Sequence, residues 1–160
     1  MKIQVKLRDK EFPIQIIDKG DWIDLYVTED VTIEKEKNES YPKLTILPLN
    51  VAMKLPEGYE AIVVPRSSTY KNFDITCANS FGVIDNSYCG NEDYWGFPAL
   101  AYRKTTIKKG DRICQFRIQL SQKATMWQRI KWLFDSKIEF EYTDNLSSES
   151  RGGFGTTGKN

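Results

Sequence analysis

Hydrophobic and polar residues alternate along much of this chain. Ile3, Val5 and Leu7 share one side of a two-residue period, and Phe12, Ile14 and Ile16 continue it. Such alternation predicts half-buried β-strands. Gly20-Asp21 interrupts the pattern, and residues 22–27 resume it with Asp24 inside an otherwise apolar run. A carboxylate placed there requires hydrogen bonds or a cation. It either caps a turn at a strand end or ligates a metal or water. Residues 28–40 are polar and read as a solvated connection. Leu44, Ile46 and Leu47, then Val51, Met53 and Leu55, predict two further strands. Pro56-Glu57-Gly58-Tyr59 is a turn signal, and residues 61–64 form a short buried run. Another strand is expected over 99–102. Residues 113–120 alternate strictly, with Cys114, Phe116, Ile118 and Leu120 on one face and Gln115 on the other. A last strand falls within 137–142. Many short strands separated by turns imply an all-β sandwich or barrel.

One stretch breaks this rhythm. At 125–135, Met126, Trp127, Ile130, Leu133 and Phe134 recur at helical spacing. Thr125 and Gln128 fit a capping box at its start. The stripe is either core packing or a docking surface, and Trp132 falls outside it.

Three polar stretches interrupt the strands. Residues 79–90 run Asn-Ser-Phe-Gly-Val-Ile-Asp-Asn-Ser-Tyr-Cys-Gly. They read as a hairpin with Asp85 at the mouth of its turn and Tyr88 close behind. Gly82 and Gly90 permit backbone angles that other residues resist. The stretch is an ordinary hairpin or a rigid mount for a carboxylate beside a ring. Pro65-Arg66-Ser67-Ser68-Thr69-Tyr70-Lys71 offers a guanidinium, hydroxyls and backbone amides to a phosphate. It equally suits a helical turn capped by Ser67 or Ser68. Near the C-terminus, Arg151-Gly152-Gly153-Phe154-Gly155-Thr156-Thr157-Gly158 follows a polar linker. It reads as a mobile arm whose arginine, aromatic ring and threonines suit an anion and a flat ring.

Composition narrows the chemistry. A chain of 160 residues predicts one domain. A net charge of +1 gives no general attraction to nucleic acid or to a membrane surface. No apolar run spans a bilayer and no signal-peptide pattern opens the chain, so a cytoplasmic protein is expected. Cys77, Cys89 and Cys114 show no metal-site or disulfide spacing. Histidine is absent, which excludes Ser-His and Cys-His nucleophile pairs and imidazole metal ligands. A general base must then be a carboxylate, a perturbed lysine or tyrosine, or a metal-bound hydroxide.

Five stretches taken in order resemble the motifs of trimeric dUTP diphosphatases (dUTPases), in the branch from Gram-positive bacteria and their phages. They are Asp24-Leu25-Tyr26 with Glu29-Asp30, Pro65-Arg66-Ser67-Ser68, residues 79–90, Gly110-Asp111-Arg112-Ile113-Cys114-Gln115, and Arg151 to Gly158. The resemblance implies an all-β, jelly-roll or β-clip subunit with one inserted helix at about 123–135. Residues 1–146 would form the domain and 147–160 an arm that closes an active site. It implies hydrolysis of dUTP to dUMP and pyrophosphate, which limits dUTP and supplies dUMP for thymidylate synthesis. It also implies a homotrimer with shared active sites. Asp85 would then be the catalytic base, and Tyr88 the ring under the deoxyribose. Asn79, Val83 and Ile84 would read uracil. Arg66, Ser67, Ser68 and Gln115 would contact phosphates. Arg151, Gly155, Thr156 and Thr157 would contact the terminal phosphates, with Phe154 as a lid over uracil. Asp24 would hold Mg²⁺ through water. Two other readings share the fold: a regulatory binding protein using the 125–135 helix as a docking face for a protein partner, and a relative of dCTP deaminase. The latter looks for a glutamate just past the hairpin carboxylate, where Asn86-Ser87-Tyr88 stands here.

Overall fold

The computed structural model describes residues 1–16, 20–35, 40–146 and 149–153. In chain order its elements are β1 (Lys2–Leu7), β2 (Ile23–Tyr26), β3 (Val31–Ile33), β4 (Lys43–Pro48), β5 (Val51–Lys54) and β6 (Tyr59–Pro65). There follow α1 (Thr69–Phe73), β7 (Ile75–Cys77), β8 (Gly82–Asp85), β9 (Gly96–Ala101), β10 (Thr105–Ile107), β11 (Arg112–Leu120), α2 (Met126–Phe134) and β12 (Glu139–Tyr142). The all-β expectation holds. Three larger sheets have the orders β2-β11-β6-β8, β4-β9-β7 and β12-β1-β5, and β10 pairs with β3. Only the β1–β12 pairing is parallel among the described strands.

β11 is the spine of the sheet that positions the site. Its alternation predicts one buried face, and Cys114, Phe116 and Ile118 are buried there. They join Leu25, Val63, Leu49, Met53, Phe97 and Ile113 in a single core. The Trp95 ring meets Phe116 edge-on at 5.3 Å between centroids, a geometry favoured by the ring quadrupoles.

Two local expectations require correction. Phe12, Ile14 and Ile16 do not form a strand. The Asp9 carboxylate accepts from the Glu11 amide at 2.9 Å, which turns the chain. Phe12 instead stacks on Tyr26 at 5.4 Å. Residues 79–90 do not form a hairpin either. β8 pairs with β6, with Glu60 opposite Asp85 and Val63 opposite Gly82, while β9 crosses to β4 and β7. The tight polar turn after Asp85 is real, but the strand that returns from it joins another sheet. Gly82 and Gly90 both lie outside the left-handed region. Gly90 is needed for space, because a Cβ there would fall 2.2 Å from the Ser150 Cα.

α2 forms as its pattern predicts. The Thr125 hydroxyl accepts from the Gln128 amide, and the Gln128 side chain accepts from the Thr125 amide at 2.8 Å. What anchors the helix is the face opposite the stripe. Gln128 donates to the Glu57 carbonyl at 2.8 Å, and Trp132 packs on Tyr59 at 5.5 Å. These residues are four apart and so share one face. Met126, Trp127, Leu133 and Phe134 point outward, with Trp127 75% and Phe134 87% exposed.

Candidate active site

Two polar clusters are built on the β2-β11-β6-β8 sheet. The first lies where β6 ends. Arg66 follows Pro65, and its amide donates to the Ile113 carbonyl at 3.3 Å. Its Nε pairs with Asp24 Oδ1 at 2.9 Å, and Arg112 Nη1 pairs with Asp24 Oδ2 at 3.1 Å. The apolar run around Asp24 buries its carboxylate to 8% exposure, and these two guanidinium groups meet the charge. Gln115 stands opposite Asp24 on one side and Val64 on the other. After Arg66 comes the expected helical turn, α1, with Ser68 at its N-cap position. The Ser68 side chain makes no capping bond. Thr69 secures the turn instead, donating from its buried hydroxyl to the Ile113 carbonyl. This end of the sheet thus presents two arginines beside Ser67, Ser68 and Gln115, a suitable inventory for an anion.

The second cluster lies at the end of β8. Asp85 Oδ1 accepts from the Ser87 amide at 2.9 Å and from the Ser87 hydroxyl at 2.5 Å. Arg151 Nη1 lies 3.3 Å from both Asp85 oxygens and 2.5 Å from the Ser87 Oγ. Burial pushes the Asp85 carboxyl upward, but the Ser87 hydroxyl and amide and the Arg151 charge outweigh it, so its pKa is lowered. Tyr88 is half-buried and donates from its hydroxyl to the Tyr94 carbonyl at 3.0 Å. Burial, then the nearby Asp93 charge, push its phenol upward against Arg8, favouring the neutral donor. The Asp93 carboxylate, 1% exposed, accepts from the amides of Gly90, Arg151 and Gly152 at 2.9, 2.9 and 3.1 Å.

The register of β6 sets how far apart the clusters are. Asp85 is opposite Glu60, whereas Arg66 follows Pro65. At ~3.3 Å per residue, the five steps from Glu60 to Pro65 separate the two ends by roughly 17 Å of backbone.

Asn79 sits before β8, where its Oδ1 accepts from the Cys77 thiol at 3.0 Å. Val83 is exposed on β8 and Ile84 is half-buried. Phe154, Gly155, Thr156 and Thr157 lie outside the described residues. Sequence reading missed Ser87, Asp93 and the Asp24 partner role of Arg112. Ser87 had a local signal, because an aspartate in a turn commonly accepts from the backbone amide two residues on. The link from Asp93 to the arm had none, since two of its three amide partners lie 58 and 59 positions away. Among the described residues no group of three or more His, Cys, Asp or Glu gathers to hold a metal ion. A cation here would have Asp24 as its protein carboxylate.

A mostly antiparallel β subunit with a carboxylate at a turn and an arginine-serine turn at the other end of β6 has the inventory that suits phosphate-ester chemistry. Residues 22–131 match the model of the dUTPase family. The chain is 48% identical over 159 residues to the SPbeta prophage-derived deoxyuridine 5′-triphosphate nucleotidohydrolase YosS of Bacillus subtilis, covering 99% of both chains. Its fold is similar to that of the dUTPase from Streptococcus mutans, with a TM-score of 0.63 at 20% identity, over 73% of this chain and 94% of that one. It is also similar to a dUTPase from phage phi11 of S. aureus, with a TM-score of 0.61 at 18% identity, over 78% and 94%. The chain belongs to the dUTPase family. It is a dUTP diphosphatase, hydrolysing dUTP to dUMP and pyrophosphate, and the family is trimeric.

Proposed function

We propose that dUTP is hydrolysed at sites shared between copies of the chain in a homotrimer. One observation carries this reading: the Asp85 and Arg66 clusters occupy opposite ends of β6. That separation, roughly 17 Å of backbone, favours a site that takes Asp85 from one copy and the arginine-serine end from another. Asp85 accepts a proton from the attacking water. Tyr88 underlies the deoxyribose, and Asn79 with the backbone at Val83 and Ile84 reads uracil. Arg66, Ser67, Ser68 and Gln115 hold phosphates. Arg151, Gly155, Thr156 and Thr157 bind the terminal phosphates, with Phe154 over the base. Residues 1–146 act as the domain and 147–160 as the arm.

Each Asp24 oxygen accepts from one guanidinium, which leaves lone pairs for a hydrated cation, with no cage of carboxylates among the described residues. That suits Mg²⁺ carried by the triphosphate and held by Asp24 through water. The ion supplies charge neutralisation to the phosphates, while this chain's arginines and hydroxyls orient them. One structure similar in fold, from phage phi11, is described with a structural Mg(II) ion.

Subunit complementation tests the shared site. Asp85→Asn and Arg66→Ala homotrimers should each be nearly inactive. Co-refolded at equal amounts, they should regain about a quarter of wild-type sites, the share in which both contributors are intact. No recovery in verified mixed trimers would place each site within one chain. A second check uses pH. Removing Arg151 takes away a charge that lowers the Asp85 pKa, so Arg151→Ala should move the acid limb of kcat/KM to higher pH. An unmoved limb would show that another group sets it.

The exposed stripe of α2 favours one addition. Trp127, Leu133 and Phe134 form the docking face for a regulatory protein, and the enzyme works in the cytoplasm. Changing all three to serine should leave trimer and turnover intact and abolish that association in pull-downs with a defined partner. Dissociation of the triple variant would show instead that the stripe seals the trimer.

A further inference from the structure

The arm has a root that its glycine-rich composition does not reveal. Asp93 sits in the loop between Tyr88 and β9, almost fully buried, and it accepts three backbone amide hydrogens. Gly90 is its own loop neighbour, but Arg151 and Gly152 belong to the arm. A buried carboxylate is costly unless its oxygens find donors, so a detached arm would leave Asp93 with the Gly90 amide alone of these three. The loop around it is braced from behind. Arg8 lies over the Tyr94 ring at 4.2 Å, and Lys6 donates to the Asn91 carbonyl at 3.0 Å. The fit is close on the arm side as well. Gly90 has no room for a Cβ against Ser150, the Ser150 hydroxyl accepts from the Glu92 amide at 3.0 Å, and a Cβ on Gly153 would fall 3.0 Å from the Tyr88 hydroxyl.

We propose that Asp93 is a positioning residue that seats residues 151 and 152 and thereby sets the Arg151 guanidinium on Asp85 and Ser87. The inference rests on the reading of Asp85 as the base. The geometry is consecutive: the amide of Arg151 is held by Asp93, and its side chain then reaches the Asp85 carboxylate. Seating of the arm root therefore precedes nucleotide binding, and Arg151 is preplaced rather than recruited by the terminal phosphates. Asp93→Asn keeps the shape but replaces one acceptor oxygen by an amide nitrogen, so one of the two oxygen positions opposes its donor.

The test reads hydrogen exchange at residue resolution in the nucleotide-free trimer, beside steady-state kinetics. In the unmodified protein, the Arg151 and Gly152 amides should exchange at least about tenfold more slowly than in an unstructured chain. In Asp93→Asn that protection should vanish. The kcat for dUTP should then fall about tenfold, with the Kd for dUMP unchanged, because misplaced groups cost orientation. Asp85→Asn serves as the control: it should lose turnover yet keep the protection. Free exchange at both amides in the unmodified protein overturns the proposal without any variant. So does protection that survives in Asp93→Asn, loss of protection with unchanged kcat, or a parallel loss of dUMP binding. If Asp85→Asn turns over normally, the base reading fails, while the exchange result still decides the seat.

Discussion

Asp85→Asn is expected to lower kcat for dUTP about a thousandfold, within the range that general-base catalysis contributes. That corresponds to about 4 kcal/mol of transition-state stabilisation. The Asp85 carboxylate sits at the end of β8 with its turn closed by the Ser87 amide and hydroxyl. Asparagine is nearly isosteric and can still accept from the Ser87 amide through its carbonyl oxygen. It cannot take a proton from water. The affinity for a non-hydrolysable dUTP analogue should therefore change by less than about threefold, since the lost proton transfer belongs to the transition state alone and the weakened Arg151 pair is solvent-exposed. Single-turnover kinetics with purified trimer separate the chemical step from product release. A variant that hydrolyses dUTP at near-normal rate would assign the base elsewhere.

Removal of residues 151–160 should leave a folded trimer that binds dUMP but turns over dUTP about a hundredfold more slowly, the scale of lost orientation. Among the described residues, none of 151–153 belongs to the hydrophobic core. β12 ends at Tyr142 and pairs with β1, and Leu146 is already buried before the arm begins. What the truncation removes is Arg151 from Asp85 and the groups proposed for the terminal phosphates. Closure of a substrate-covering segment also excludes water and aligns the attacking group. Product dUMP has no terminal phosphates and should bind with little change. Turnover of the truncated trimer, measured beside dUMP titration, decides this. Full activity would show that the arm plays no part. Equal losses for dUMP and dUTP would point to damage in the domain itself.

Much of the strand pattern was legible because a two-residue period records which side chains face the core. The Cys114, Phe116 and Ile118 face of β11 is read directly from alternation, and α2 with its capping box from spacing and two residue types. The stretch at 8–16 misled for the same reason: Phe12, Ile14 and Ile16 alternate, yet a turn at Asp9 and stacking on Tyr26 take them out of any ladder. The steric role of Gly90 was not legible. At Gly90 the constraint is a neighbour sixty positions away, which no local pattern records.

The sequence by itself determined the residue types available for catalysis. With no histidine, carboxylates, arginines and hydroxyls are the principal polar groups for the work, and their ordered motifs identify the family. It also marked the helix and most strands, since the spacing and alternation that signal them recur within a few residues. The tertiary structure decided which of these groups meet. It paired Asp24 with Arg66 and Arg112, brought Arg151 to Asp85, placed Asp93 under the arm, and turned the apolar stripe of α2 outward. Above all, the β6–β8 register put Asp85 and Arg66 at opposite ends of one strand. Pairing partners are chosen by burial summed over the whole chain, so a linear pattern specifies each face and leaves its neighbour open.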